Sequence, residues 1–87
     1  MEIIKTKDFQ RTFSKLPKDI QALYEKQEKR FLENHRDSRL HIKKVRSLDY
    51  AMSFRITSRY RVFFYFQNFE TAICFEIDHR KDIYRKL

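Results

Sequence analysis

Near its C-terminal end the chain reads Asp78-His79-Arg80-Lys81-Asp82-Ile83-Tyr84-Arg85, directly after the apolar run Ala72-Ile73-Cys74-Phe75-Glu76-Ile77. A buried strand there would deliver an imidazole, two guanidinium groups and a phenol at its end, into one small volume. Upstream, Ser53-Phe54-Arg55-Ile56-Thr57-Ser58-Arg59-Tyr60-Arg61-Val62-Phe63-Phe64 sends further arginines out of two apolar runs. Guanidinium groups hold phosphate oxygens in a planar, two-point manner that lysine cannot match. An imidazole changes charge near neutral pH. Such a set, carried on a sheet, is suited to gripping a phosphodiester and moving a proton beside it.

The whole chain has 87 residues, the size of one small domain (1–87) near the lower limit for a self-sufficient core. Of its 14 aromatic residues, ten lie between Tyr50 and Tyr84, so the second half supplies most of that core. Twenty Lys and Arg against twelve Asp and Glu give a net charge of +8, a balance that favours polyanions or acidic proteins as partners. Glycine is absent, which excludes Gly-rich phosphate loops and dinucleotide fingerprints. Any phosphate must be held by side chains or a helix N-terminus. The single Cys74 excludes an intrachain disulfide and a Cys-rich zinc site, reads as a small core residue and fits a reducing compartment. No signal peptide and no membrane-length apolar run is read, so a cytoplasmic protein without membrane contact is expected.

These residues need a frame. Glu2-Ile3-Ile4-Lys5 reads as a first strand and Thr6 as an N-cap; Phe9, Phe13 and Leu16 then form one helical stripe. Pro17 ends that helix and opens a second one, with Ile20, Leu23, Tyr24, Gln27 and Phe31 inward. Residues 34–39 read as a loop, and 40–47 as an irregular stretch. Tyr50 to Thr57 alternates like a half-buried strand whose Ala51/Ser53/Arg55/Thr57 face is open. Tyr60–Phe66 and Thr71–Ile77 complete a meander, with turns at Ser58-Arg59 and Gln67–Glu70, and Arg80–Leu87 forms a short last helix. The predicted fold is α+β: strand, helical hairpin, then three hairpin-connected strands, with the helices on one face of an antiparallel sheet and the first strand beside the meander.

The segments Ser53-Phe54-Arg55-Ile56, Tyr60-Arg61-Val62-Phe63-Phe64 and His79-Arg80-Lys81-Asp82-Ile83-Tyr84-Arg85 resemble the RelE/ParE superfamily of bacterial toxins from type II toxin–antitoxin modules. The resemblance covers essentially the whole chain, and the terminal string is its most specific part. It implies the RelE-like microbial ribonuclease fold. RelE-like members cut messenger RNA, most of them in the ribosomal A site; ParE-like members inhibit DNA gyrase and have generally lost the acid–base residues. Because His79, Tyr84, Arg61 and Arg55 occur together, the chain resembles the nuclease branch, with gyrase inhibition by protein binding as the alternative. Where some members carry two lysines on the first meander strand, this chain has Ser53 and Arg55. The resemblance also implies an antitoxin partner laid over the basic face in a toxin–antitoxin hetero-oligomer, with messenger RNA and the ribosome as targets.

RNA can be cut without a metal when the 2′-OH attacks the adjacent phosphorus, given a base, cations for the phosphoryl oxygens and an acid for the 5′-oxygen. His79 is the natural titrating group; neighbouring arginines favour its neutral form and a base role, whereas a bound phosphate acts the other way. Arg61 and Arg55 are candidate phosphate clamps. Tyr84 can stack on a base, hydrogen-bond a phosphate or simply anchor the last helix. Arg80 would add charge where a helix dipole already favours an anion. Lys43, Lys44, Arg46 and Arg59 are candidate contacts to the RNA backbone. Each has a plainer reading: His79 as a strand–helix hydrogen-bonding residue, Arg55 as a solvated strand charge, Arg61 as a snorkelling side chain, the lysines as a solvated loop. His35 and His41 are given no role. No spacing of His, Asp and Glu points to a metal, and no cofactor is expected.

Overall fold

The computed structural model describes residues 1–85. Residues 86–87, the end of the expected terminal helix, lie outside the described residues. The elements are β1 (Glu2–Lys5), α1 (Lys7–Lys15), α2 (Lys18–Glu33), a 3-10 turn (Ser38–Leu40), β2 (Lys43–Lys44), β3 (Met52–Arg55), β4 (Tyr60–Asn68), β5 (Thr71–His79) and α3 (Arg80–Arg85). The sheet runs β1-β5-β4-β3-β2.

Local chemistry fixes the helical hairpin. The Thr6 hydroxyl accepts from the Phe9 amide at 3.2 Å, satisfying one of the free amides at the start of α1. The Gln21 side chain donates to the Phe13 and Leu16 carbonyls, both at 3.0 Å, so the end of α1 is stapled to the start of α2. The inward stripe of α2 is Ile20, Tyr24, Gln27 and Phe31. Leu23, expected inward, is 39% exposed because it falls at the rim of that stripe.

The meander β3-β4-β5 is antiparallel, as expected. At its edge β1 lies beside β5 but parallel to it, with Ile3 opposite Ala72, so the sheet is mixed rather than wholly antiparallel. No hairpin joins the two strands, and their relative direction is therefore set by packing. At the other edge the irregular stretch contains the two-residue strand β2, paired with β3. Two exposed lysines give no apolar alternation to read, and they also blunt the sheet edge against further pairing.

The chief core lies between the helices and one face of the sheet, built from Phe9, Tyr24, Phe31, Phe54 and Phe64 among others. Phe31 meets Phe64 edge-on at 5.1 Å and Phe54 at 5.5 Å. The opposite face corrects the expectation of an open β3 surface. Ala51 and Ser53 are buried there, under a smaller cluster of Val45, Phe63 and Ile83. The 45–51 loop and α3 supply that cover. Ile83, fully buried, is the residue that docks α3.

Gln27 joins the layers. Its amide donates to the Arg55 carbonyl at 2.6 Å and the Arg39 carbonyl at 3.0 Å, and its oxygen accepts from Arg30 at 2.8 Å. A buried amide so fully paired stabilises its position instead of penalising it.

Candidate functional site

The outer face of the sheet, away from α1 and α2, carries Ser53 and Arg55 from β3 and Arg61, Phe63 and Tyr65 from β4, because alternate strand residues share a face. Arg61 is 8% exposed, and its Nη1 is buried without a hydrogen-bond partner. Arg55 stands directly opposite Arg61 and is half-buried, its Nε likewise unpartnered. On the other side of Arg61, in β5, is Asp78.

Arg61 opens into a depression of about 450 Å³ whose remaining walls are Lys43, Lys44, Arg46, Ser47 and Tyr84. The lysines come from β2, Arg46 and Ser47 from the following loop, and Tyr84 from α3. Tyr84 leans edge-on against Phe63 at 5.3 Å yet is 48% exposed, so packing fixes its ring and leaves it accessible. Beside it Ile83 is the fully buried anchor of α3. Four cations and a phenol around one opening, one cation nearly desolvated, can hold an anion with an attached ring.

His79 stands elsewhere. It pairs across the strands with Tyr60, whose ring meets the imidazole edge-on at 5.4 Å, on the pleat opposite to Arg61. Its surroundings are a second depression of about 360 Å³ shared with Arg59, Arg80 and Lys81. The Arg80 amide donates to the Arg59 carbonyl at 2.6 Å, drawing the β3–β4 turn onto the start of α3. In that glycine-free turn the Thr57 hydroxyl accepts from the amides of Arg59 and Tyr60. The Lys81 amide donates to His79 Nδ1 at 3.3 Å, which leaves Nε2 as the nitrogen open to a ligand.

The expected single volume is thus two depressions. One holds Arg61, Tyr84, Lys43, Lys44 and Arg46, with Arg55 opposite Arg61; the other holds His79, Arg80 and Arg59. The division has a local cause. Phe63 pairs with Glu76 but Phe64 with Cys74, so Phe75 is an extra residue in β5. Beyond this bulge Glu76 and Asp78 share the Arg61 face, and Ile77 and His79 the other. Alternation counted straight through β5 does not reveal it. Ser47 and Lys81 were assigned no role from the sequence because a lone serine and one more lysine carry no distinguishing pattern. Among the described residues no cluster of His, Cys, Asp or Glu is placed to hold a metal ion, and no helix is long and apolar enough to cross a membrane.

No protein-family model matches the chain, and no curated protein matches it. Solved structures do. The RelB–RelE antitoxin–toxin complex from Methanococcus jannaschii contains a chain that matches with a TM-score of 0.76 at 22% identity, over 97% of this chain and 98% of that one. The fold is that of the RelE/ParE toxins. A YoeB/ParE toxin from Agrobacterium tumefaciens matches at 0.75 with 8% identity, over 91% of this chain and 98% of that one. The intact E. coli RelBE toxin–antitoxin complex matches at 0.69 with 14% identity, over 88% and 93%. At these identities the RelE/ParE backbone is shared, while the side chains lining the two depressions have to be read from this chain itself.

Proposed function

We propose that the chain is the toxin of a type II toxin–antitoxin pair and acts as a metal-independent endoribonuclease, cutting messenger RNA in the ribosomal A site and so stopping translation. The observation that carries this reading is Arg61: a nearly desolvated guanidinium with a free Nη1, opening into a basic depression beside an accessible tyrosine. The part of the guanidinium that lines the depression offers a phosphate oxygen charge-assisted hydrogen bonds in a poorly hydrated setting. The likeness to RelE and YoeB/ParE toxins, two of them solved with antitoxins, supports the toxin role and a partner antitoxin covering the basic face.

In this reading the scissile phosphate sits at Arg61. Arg61 and Arg55 stabilise charge building on its oxygens as the 2′-OH gives its proton to a base and attacks phosphorus, and the P–O5′ bond breaks as the 5′-oxygen takes up a proton, leaving a cyclic phosphate and a 5′-OH. Tyr84 stacks on an adjoining base, and Lys43, Lys44 and Arg46 hold the backbone. His79, in the separate depression at the end of β4 and β5, holds RNA that continues past the strand ends, together with Arg59 and Arg80.

The alternative is a gyrase inhibitor acting by protein binding alone. The YoeB/ParE toxin matches the backbone about as well as the RelE chain, so the choice rests on the anion site. Primer extension in a reconstituted translation reaction, with wild type, Arg61→Ala and His79→Ala side by side, tests it. Codon-positioned cuts that disappear in the variants are the expected result. Intact message with wild type overturns the nuclease reading, and a supercoiling assay then tests the alternative.

A further inference from the structure

We infer that the outer sheet face beyond Tyr84 is a base-stacking platform, formed by Tyr50, Tyr65 and Phe75, for single-stranded RNA flanking the scissile phosphate. The inference rests on the nucleic-acid reading of the Arg61 depression and extends it to residues with no role so far.

α3 covers only part of the outer face, and past Phe63 it leaves the rings of Tyr65 and Phe75 half-exposed. Tyr50 sits over them, 5.6 Å from Tyr65 and 6.2 Å from Phe75 between ring centroids, yet remains 61% exposed. Tyr65 and Phe75 are themselves 5.8 Å apart. The three rings therefore hold one another while still facing water, and exposed aromatic clusters of this kind mark interaction surfaces.

The platform joins the anion site in two ways. Phe63 touches Phe75 at 6.2 Å on one side and Tyr84 at 5.3 Å on the other, so the rings run without a break from the depression to Tyr50. The 45–51 loop gives Arg46 and Ser47 to the depression and Tyr50 to the platform. That loop is tied by three backbone hydrogen bonds, Val45 to Ala51, Leu48 to Val45 and Ala51 to Leu48, at 3.1–3.2 Å. It is seated by buried Val45 and Ala51. Tyr50 is therefore held in place before any ligand arrives.

Cations for phosphates beside open rings for bases is the arrangement that binds single strands with little regard to sequence. Lys43, Lys44 and Arg46 line the depression, so phosphates are drawn there and bases toward the rings. An acidic protein segment would match the cations too, but it carries no planar bases to lie on the open rings.

The test uses single-stranded DNA, which lacks the attacking 2′-OH, in lengths of about four and about ten nucleotides, the longer carrying 2-aminopurine near one end. Wild type is expected to bind the longer strand more tightly and to quench its 2-aminopurine. Tyr50→Ala and Tyr65→Ala are expected to cut that length advantage about tenfold, with binding of the short strand unchanged, and Tyr50→Phe to retain it. Tyr50 is exposed, so its variants should fold, and the circular dichroism spectrum checks this. An unchanged length advantage in both alanine variants, with short-strand binding still lost in Arg61→Ala, overturns the platform alone. Failure of wild type to bind either strand overturns the platform together with the reading of the depression. If a decaglutamate peptide binds wild type but not Tyr50→Ala, while the length advantage persists, the face docks protein and the RNA platform is overturned.

Discussion

Arg55 on β3 and Arg61 on β4 stand directly opposite each other, and each keeps a buried guanidinium nitrogen without a hydrogen-bond partner. Like charges facing across a strand pair destabilise a sheet. Asp78, opposite Arg61 on β5, offsets part of that repulsion, and an anion bound beside the pair would offset more. Inorganic phosphate should accordingly raise the melting temperature of the wild-type protein and not of Arg61→Ala. Arg61→Ala should slow RNA cleavage by about a hundredfold, the usual scale for losing one transition-state donor, with its own unfolding little changed. Equal phosphate stabilisation of both proteins would contradict the pairing.

Separation of His79 from Arg61 makes their effects distinguishable. His79→Ala should reduce the cleavage rate while leaving the affinity for a short uncleavable strand intact; Arg61→Ala should reduce both. Parallel binding and rate measurements decide this. A normal rate in His79→Ala would place proton transfer with the groups around Tyr84.

Salt dependence counts the phosphates held. For single strands each neutralised phosphate steepens the slope of log affinity against log salt by about 0.7. Replacing Lys43, Lys44 or Arg46 by alanine should lower that slope by about this amount each, with little change in which sequences are bound. Titrations at several salt concentrations provide the slopes. Variants that weaken binding at unchanged slope would place these cations away from the backbone.

The core carries an alkaline limit. Burial pushes the Cys74 thiol up to about 12. Burial, with the Cys74 and Glu28 negative charges adding to it, also drives the Tyr24 phenol well above its usual range. Both groups hold their proton more tightly folded than unfolded. The stability this gives is complete below the unfolded values, about 8.5 for a thiol and about 10 for a phenol, and falls as pH rises beyond them. Tyr24→Phe should flatten that fall. It should also cost about 1–2 kcal/mol at neutral pH through loss of the 2.6 Å bond to Glu28. Urea unfolding at neutral pH and above about pH 10 would show both effects, and an equally steep fall there in the variant would exclude Tyr24 as its source.

Gln27 reaches the site through backbone. Gln27→Leu removes the part-buried hydrogen bonds to the Arg39 and Arg55 carbonyls and should cost about 1–3 kcal/mol. It should also slow cleavage, because the Arg55 carbonyl ends β3 where Arg55 meets Arg61. Unfolding curves with kinetics below the melting range separate the two consequences; a rate equal to wild type there would limit Gln27 to stability.

The fold was largely legible from the chain. Phe9, Phe13 and Leu16 mark one helix, Pro17 the next, and the alternation in Tyr60–Phe66 gives β4 its two faces. β2 was not legible, because Lys43-Lys44 has no apolar member, and the direction of β1 was not, because no turn sets it. Arg61 and Tyr84 stand out by residue type and the structure brings them together. The burial of Arg61 depends on cover from the 45–51 loop and α3, contacts distant in sequence that local pattern does not encode. Gln27 gave no signal beyond its place on an inward helical stripe.

The extra residue at Phe75 acts as a phase setting for the end of β5. Upstream of it Thr6 fastens the strand, its amide and hydroxyl donating to the Cys74 and Phe75 carbonyls at 3.1 and 3.3 Å. With that fastening fixed, straightening the bulge at unchanged chain length would exchange the two sides of everything downstream: His79 would turn toward Arg61, and Asp78 would turn away. Deleting Phe75 would instead close the ladder and keep Asp78 opposite Arg61. Two chemically different surfaces are therefore encoded by one stretch of sequence, and the conformation of one extra residue, rather than any substitution among the charged residues, determines which of them the arginine faces.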